Sequence, residues 1–319
     1  PVGRVCLFLG GGLPHCFGNF IARLRTTNEI LSEYLFYFLW HFHALGKTSN
    51  YQKQTTGIRN LELKRYLTIE VPVPPIPEQR RIVDILSRAE GIVRLRREAQ
   101  KKAAEVIPAL FLDMFGDPAT NPKGWPMHRL GDLAVKMSDG PFGSNLKTAH
   151  YTEYGVRVIR LQNIGVGKLN DEDQVFVSPE HFASLPRHHC LPRDVVIATL
   201  GDPNLRAIVL PSTILEALNK ADCVQFRCKP ELVTPEFICW LMNAPTVLNM
   251  AASIVQGITR TRISMGRLRE LIVPMPPVAL QRRFAERVDE ICSIQTQQAA
   301  ATQKAEATFD ALLAHNFSG

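Results

Sequence analysis

Three short stretches of this 319-residue chain concentrate side chains able to hold an anion or read the edge of a base. Residues 253–269, SIVQGITRTRISMGRLR, carry Gln256, Thr259, Arg260, Thr261, Arg262 and Arg267 beside Gly257. Residues 47–60, KTSNYQKQTTGIRN, carry Lys47, Asn50, Tyr51, Gln52, Lys53 and Arg59. Lys136, Ser138, Ser144, Asn145 and Lys147 surround a Gly/Pro loop. A guanidinium offers a forked donor that matches phosphate oxygens or two acceptors on one base. Amides pair as donor and acceptor, and glycine lets backbone approach closely. Each stretch is also readable as a solvated polar loop. The first two place the same chemistry at matching points of two halves of the chain, which favours the functional reading.

Covalent chemistry has no comparable support. The chain shows no Asn-Pro-Pro-Tyr/Phe run, no glycine-rich cofactor loop after a strand and no complete phosphate loop, since the Gly165 to Lys168 segment would need a glycine at Gln162. His181, His188, His189 and Cys190 match no ordered zinc spacing. The expectation is a chain with no catalytic residues, no metal and no cofactor of its own. Two alternatives stay open: a metal-dependent nuclease built on Asp194 or Asp202 with Lys220, and a coiled-coil adaptor without DNA binding.

The elements that must position these stretches occur twice. Residues 71–115 and 273–317 align without a gap and agree at 14 of 45 positions, among them Pro72/Pro274, Pro75/Pro277, Gln79/Gln281, Arg80/Arg282, Arg81/Arg283, Leu110/Leu312 and Phe115/Phe317. Each copy opens with a proline cluster, beyond which a helix starts. Ile82, Ile85, Ala89, Ile92, Arg96, Ala99, Ala103, Val106 and Leu110 alternate by three and four, the seam of a heptad coil. Phe284, Arg287, Ile291, Ile294, Gln298, Ala301, Ala305, Thr308 and Leu312 repeat that frame. Two long helices are therefore expected to pack antiparallel, with Arg96 facing Gln298 as a polar layer. Leu86, Val93, Leu95 and Leu112 fall outside the seam and are expected to form a partner-docking face.

Around the helices the pattern is mixed α and β. A strand at residues 20–24, a helix at 31–43 and a strand at 67–71 have counterparts at 224–227, 236–243 and 271–273. Further strands are expected at 130–137, 156–161, 195–199 and 207–210. The expected division is residues 1–73, the back part of a first domain whose first half is missing; 74–116, the first long helix; 117–275, a second domain; and 276–319, the second long helix. The net charge of +7 is compatible with a polyanionic partner. Seven cysteines without a Cys-x-x-Cys pair fit reduced thiols and a cytoplasmic protein. No apolar run is long enough to span a bilayer.

Gly124-Trp125, Leu130-Gly131-Asp132-Leu133, Asp139-Gly140, residues 157–167, residues 257–272 and Pro274-Met275-Pro276-Pro277 followed by Gln281-Arg282-Arg283 together resemble a type I restriction-modification specificity subunit. The resemblance implies α+β target-recognition domains, each reading half of a split double-stranded DNA sequence, joined by two antiparallel coiled-coil helices that act as a ruler. It implies docking of modification (methyltransferase) subunits, two of them, and of restriction (translocase/endonuclease) subunits. Those partners would bring S-adenosylmethionine, ATP and Mg, so that DNA methylation and cleavage are theirs.

Overall fold

The computed structural model describes residues 2–12, 15–55, 58–251 and 262–317. It divides into two compact units, one of Pro1–Ala103 with Gln295–Gly319 and one of Ala104–Ile294.

Unit 1 holds α1 (Ser32–Ala44), a hairpin of β1 (Gln52–Thr55) and β2 (Ile58–Leu61), α2 (Leu63–Tyr66) and α3 (Ile76–Ala103). Its core is aromatic. Tyr34, Tyr37 and Phe38 of α1 meet Ile82, Leu86 and Val93 of α3 and Phe309, Leu313 and Phe317 from the last helix. The Phe317 ring lies edge-on to Tyr34 at 5.3 Å and to Phe38 at 5.8 Å. Residues 20–24 and 67–71, expected as strands, form none. A strand needs a neighbour to take its N–H and C=O groups, and the described residues of this unit form no sheet beyond the β1–β2 hairpin. The counterparts in unit 2 do have neighbours.

Unit 2 begins with α4 (Val106–Phe115) and continues through β3 (Met127–Arg129), β4 (Ala134–Ser138), β5 (Tyr151–Thr152), β6 (Val156–Ile159), β7 (Phe176–Val177), α5 (Pro179–Ala183), β8 (His189–Cys190), β9 (Val195–Ala198), β10 (Ala207–Val209), β11 (Ala217–Asn219), β12 (Cys223–Cys228), α6 (Pro235–Asn243), α7 (Pro245–Ala251), α8 (Met265–Arg269) and β13 (Ile272–Pro274). The last helix, α9 (Val278–Phe317), starts here and finishes in unit 1. An antiparallel sheet ordered β10-β9-β12-β4 lies against a five-stranded sheet ordered β5-β7-β6-β11-β8. Side chains alternate along a strand, so Val195 and Ile197 face α4 and α6 while Val196 and Ala198 face the second sheet. That is why β9 is apolar throughout: it is covered on both sides. The 130–137 segment, expected as one strand, opens as a 3-10 turn at Leu130–Leu133 that buries both leucines before β4 begins.

The first long helix is broken where one helix was expected. Pro108 lacks an N–H and its ring collides with the carbonyl four residues back, at Ala104; α3 stops at Ala103 and α4 starts at Val106. The equivalent of Pro108 in α9 is Asp310, and α9 runs unbroken for 40 residues.

In unit 1 the pairing of α3 with α9 is antiparallel. Arg97 binds Glu306 at 2.6 Å while Ala103 O accepts from Gln295 Nε2 at 2.7 Å, so one index falls as the other rises. The seam differs from the expected frame after Ile82 and Phe284. Buried positions are Gln79, Ile82, Leu86 and Val93 on α3, Ile107, Phe111 and Phe115 on α4, and Gln281, Phe284, Val288, Thr302, Phe309, Leu313 and Phe317 on α9. Leu86 and Val93 are thus core rather than outward, whereas Ile92 and Ile294, expected inside, are more than half exposed. Arg96 and Gln298 are both exposed and form no facing layer. Two apolar stripes overlap on these helices, and the aromatic partners on α1 select the one led by Leu86. Leu95 and Leu112 remain outward, at 58% and 46% exposure.

One device appears in both copies. Gln79, fully buried, accepts from Leu31 N–H and donates to Glu29 O and Pro74 O, all at 2.8 Å. Gln281, also fully buried, accepts from Thr234 N–H at 2.9 Å and donates to Leu232 O and Pro276 O. Each amide clamps the start of its long helix to the segment entering α1 or α6.

Candidate nucleic-acid interface

Four stretches meet at one edge of the β10-β9-β12-β4 sheet. Neighbouring strands are antiparallel, so β4 and β9 end where β12 and β10 begin; Ser138 pairs with Gln225 and Ala198 with Cys223. Residues 139–147, 199–206 and 220–222 therefore emerge on the same side. Arg262 joins them through a bridge to Leu200, and Ile263 N–H donates to Thr199 O at 3.0 Å.

The 139–147 loop is held by its backbone. A Cβ on Gly140 would lie 2.0 Å from the Lys220 carbonyl, so only glycine lets the loop rest on that turn. Lys220 Nζ donates to Leu146 O, His188 Nδ1 lies 2.6 Å from Asp139 O and His181 Nε2 3.0 Å from Asn145 O. These ties leave the side chains of Phe142, Ser144, Asn145 and Lys147 exposed. At the same edge Arg262 Nε forms an ion pair with Asp222 Oδ1 at 2.7 Å, and its guanidinium carbon sits 5.0 Å from the centre of the Phe142 ring.

Not every expected residue joins this edge. Lys136 is half-buried within β4, where its ammonium donates to His189 O at 3.1 Å; burial first, then the Arg227 charge, lowers its pKa. Ser138 Oγ donates to Gln225 and ties β4 to β12. Both side chains are thus engaged within the fold, Lys136 on the facing sheet and Ser138 on the neighbouring strand. Arg267 is half-buried in α8, whose first turn is capped by Ser264. Gln256, Thr259, Arg260 and Thr261 lie outside the described residues. In unit 1, Lys53 and Arg59 are exposed on the β1–β2 hairpin and Gln52 is half-buried at its base, with Lys53 opposite Asn60. Lys47 and Asn50 are exposed on the turn before it. Tyr51 is half-buried, its ring packed on Phe42 and Tyr66 at 5.8 and 6.0 Å.

Asp194 is no open metal ligand. It is buried and accepts from Arg227 Nε and Nη2, Gln225 Nε2 and Leu191 N–H, each at 2.8 Å. Among the described residues no three or more His, Cys, Asp or Glu are grouped to hold a metal ion, and no helix is long and apolar enough to cross a membrane.

A family model described as the type I restriction modification DNA specificity domain matches residues 2–105. The type I restriction enzyme MjaVIII specificity subunit of Methanocaldococcus jannaschii is 22% identical over 302 residues, covering 90% of this chain and 70% of its own length. The EcoAI specificity subunit of Escherichia coli is 22% identical over 224 residues, 69% of this chain and 37% of that protein. A chain in a structure described as the basis of complex assembly and conformational transition of the type I R-M system superposes with a TM-score of 0.59 at 21% identity, covering 89% of this chain and 70% of that one, and shares its fold. The chain is thus similar to type I restriction-modification specificity subunits over most of its length, and residues 2–105 match their DNA specificity domain. The structure brings the expected 139–147 loop and Arg262 to one edge and adds to them Phe142 and Asp222, which the sequence reading did not single out. An aromatic between two glycines in a polar loop is a signal for the first; nothing local marks the second.

Proposed function

We propose that unit 2 reads one part of a split DNA target through the loop edge formed by residues 139–147, 199–206, 220–222 and Arg262. The chain itself is the DNA-specificity component of a type I restriction-modification system and not a catalyst. The observation that supports the edge as the reader is convergence: donors from four stretches distant in sequence are presented on one side by rigid strands, as base and phosphate contacts require. The exposed Lys53, Arg59, Lys47 and Asn50 of unit 1 supply the same donor types for a second contact with DNA. Modification subunits, two per chain, dock on the outward apolar residues of the long helices, Leu95 and Leu112, and bring S-adenosylmethionine. Restriction subunits bring ATP and Mg.

The test is co-purification of the full chain with its cognate modification subunit, followed by mapping of methylated bases. A split methylated motif is the expected result. Methylation without sequence preference would overturn the reading, and Mg-dependent cleavage by the isolated chain would restore the nuclease alternative.

A further inference from the structure

Three residues brought together from separate parts of unit 2 do more than line the edge. Asp222 has φ of 65°, the left-handed region that Asp and Asn enter more readily than bulkier residues. Its carbonyl accepts from Thr199 N–H at 2.8 Å and from Thr199 Oγ1 at 3.1 Å, so its carboxylate is carried on a rigid turn. Arg262 is fixed by its backbone bridge to Leu200 on one side and by the Asp222 ion pair on the other. The Phe142 ring, 43% exposed on the loop seated at Gly140, forms a wall under the guanidinium. An arginine held at Nε still has its Nη1–Nη2 end to present, and 48% of this side chain is open to solvent.

We propose that Phe142 and Asp222 are positioning residues that hold Arg262 as a preset fork for one guanine of the target, making the three together the determinant of one base position. This rests on the reading of unit 2 as a DNA reader. Charge decides between a base and a phosphate. A guanidinium 2.7 Å from a carboxylate is largely neutralised as a net charge, so it adds little to counterion release, which is the source of phosphate affinity. Its hydrogen-bonding directions are not neutralised. A fork of fixed orientation suits the O6 and N7 acceptors that guanine presents in the major groove. Stacking on Phe142 removes the side-chain freedom that binding would otherwise have to freeze.

The experiment uses the full chain assembled with its modification subunit, acting on a plasmid library degenerate across the target. Arg262→Lys keeps the charge and loses the fork; discrimination should fall about 10- to 100-fold at one position of one half-site, with the other positions and the salt dependence of binding unchanged. Asp222→Asn keeps a residue suited to the left-handed turn and removes only the carboxylate charge. It and Phe142→Ala should relax that same position, and Phe142→Trp should restore it. A merely structural ion pair would instead give variants that lose thermal stability and keep the wild-type preference, which overturns the proposal. A loss spread evenly over all sequences in Arg262→Ala, with a salt slope smaller by about one unit, assigns Arg262 to a phosphate and also overturns it. If Asp222→Asn or Phe142→Ala fails to fold, Phe142→Leu, which keeps the apolar bulk and loses the ring, takes its place: relaxation at the position set by Arg262 supports the proposal, and the wild-type preference overturns it. A wild-type complex without any sequence preference refutes the reader assignment itself, an outcome separate from all of these.

Discussion

Replacing Gln281 by leucine tests what anchors the second long helix. Leucine has nearly the same volume, so the substitution leaves no large cavity but strands three groups: Thr234 N–H and the carbonyls of Leu232 and Pro276. Each orphaned buried polar group costs about 1–3 kcal/mol. The extra apolar surface buried by leucine returns roughly 1–2 kcal/mol. The net expected loss is about 1–8 kcal/mol, with Tm lowered by about 2–4 °C for each kcal/mol in a unit of this size. Urea denaturation with an unchanged m-value should show it. Hydrogen exchange should rise first in the peptide around Thr234, because the clamp closes the N-terminal turn of α6. Gln79→Leu should do the same around Leu31 in unit 1. A loss below about 1 kcal/mol with exchange unchanged at residues 232–237 would refute the reasoning, since the stranded groups would then have found other partners.

Further outcomes follow from other residues. Asp194→Ala leaves Arg227 in a largely buried site without its carboxylate and should cost about 3–5 kcal/mol; a denaturation curve like the wild type would contradict this. Leu95→Lys should leave the fold intact and weaken capture of the modification subunit in a pull-down, whereas Leu86→Lys, in the core, should unfold unit 1; equal pull-down yields for Leu95→Lys and wild type would remove it from the docking face. Lys147→Ala should weaken binding to all duplexes alike and reduce the salt slope by about one unit in titrations at several salt concentrations; an unchanged slope assigns that lysine no phosphate. Burial pushes the Cys190 thiol up to about 12 and raises Cys223 and Cys239 as well, so at pH 8 alkylation followed by mass spectrometry should mark the exposed Cys6 and Cys16 and spare those three. Labelling of Cys190 in the folded chain would count against the buried site.

The repeat made much of the architecture legible. Proline clusters and the shared Gln-Arg-Arg located both helix starts, and apolar alternation located β9, β10 and β12. The seam was harder, because Ile85 and Leu86, like Ile92 and Val93, stand one position apart and either satisfies a spacing of three or four. Only the aromatic face of α1 chooses between them, and that contact is not local. The helix break was present in the sequence as Pro108, outweighed in the reading by the strength of the heptad pattern. At the candidate interface the loop compositions singled out stretches that the fold brings to one edge. Lys136 lies in an edge strand, and only the folded chain shows its ammonium turned to the His189 carbonyl of the facing sheet. The Asp222–Arg262 ion pair was invisible because it depends on a turn geometry and on two residues 40 positions apart.

Unit 1 is discontinuous in sequence, and this sets an order of events as the chain leaves the ribosome. Residues 104–294 are contiguous and can bury their core before the last segment of α9 exists. The aromatic face of α1, made much earlier, must wait for Phe309, Leu313 and Phe317 to cover it. Until then Tyr34, Tyr37 and Phe38 are surface for chaperones or for aggregation. A nonsense codon or proteolytic cut just after residue 294 would accordingly spare the nearer unit and undo the one translated first.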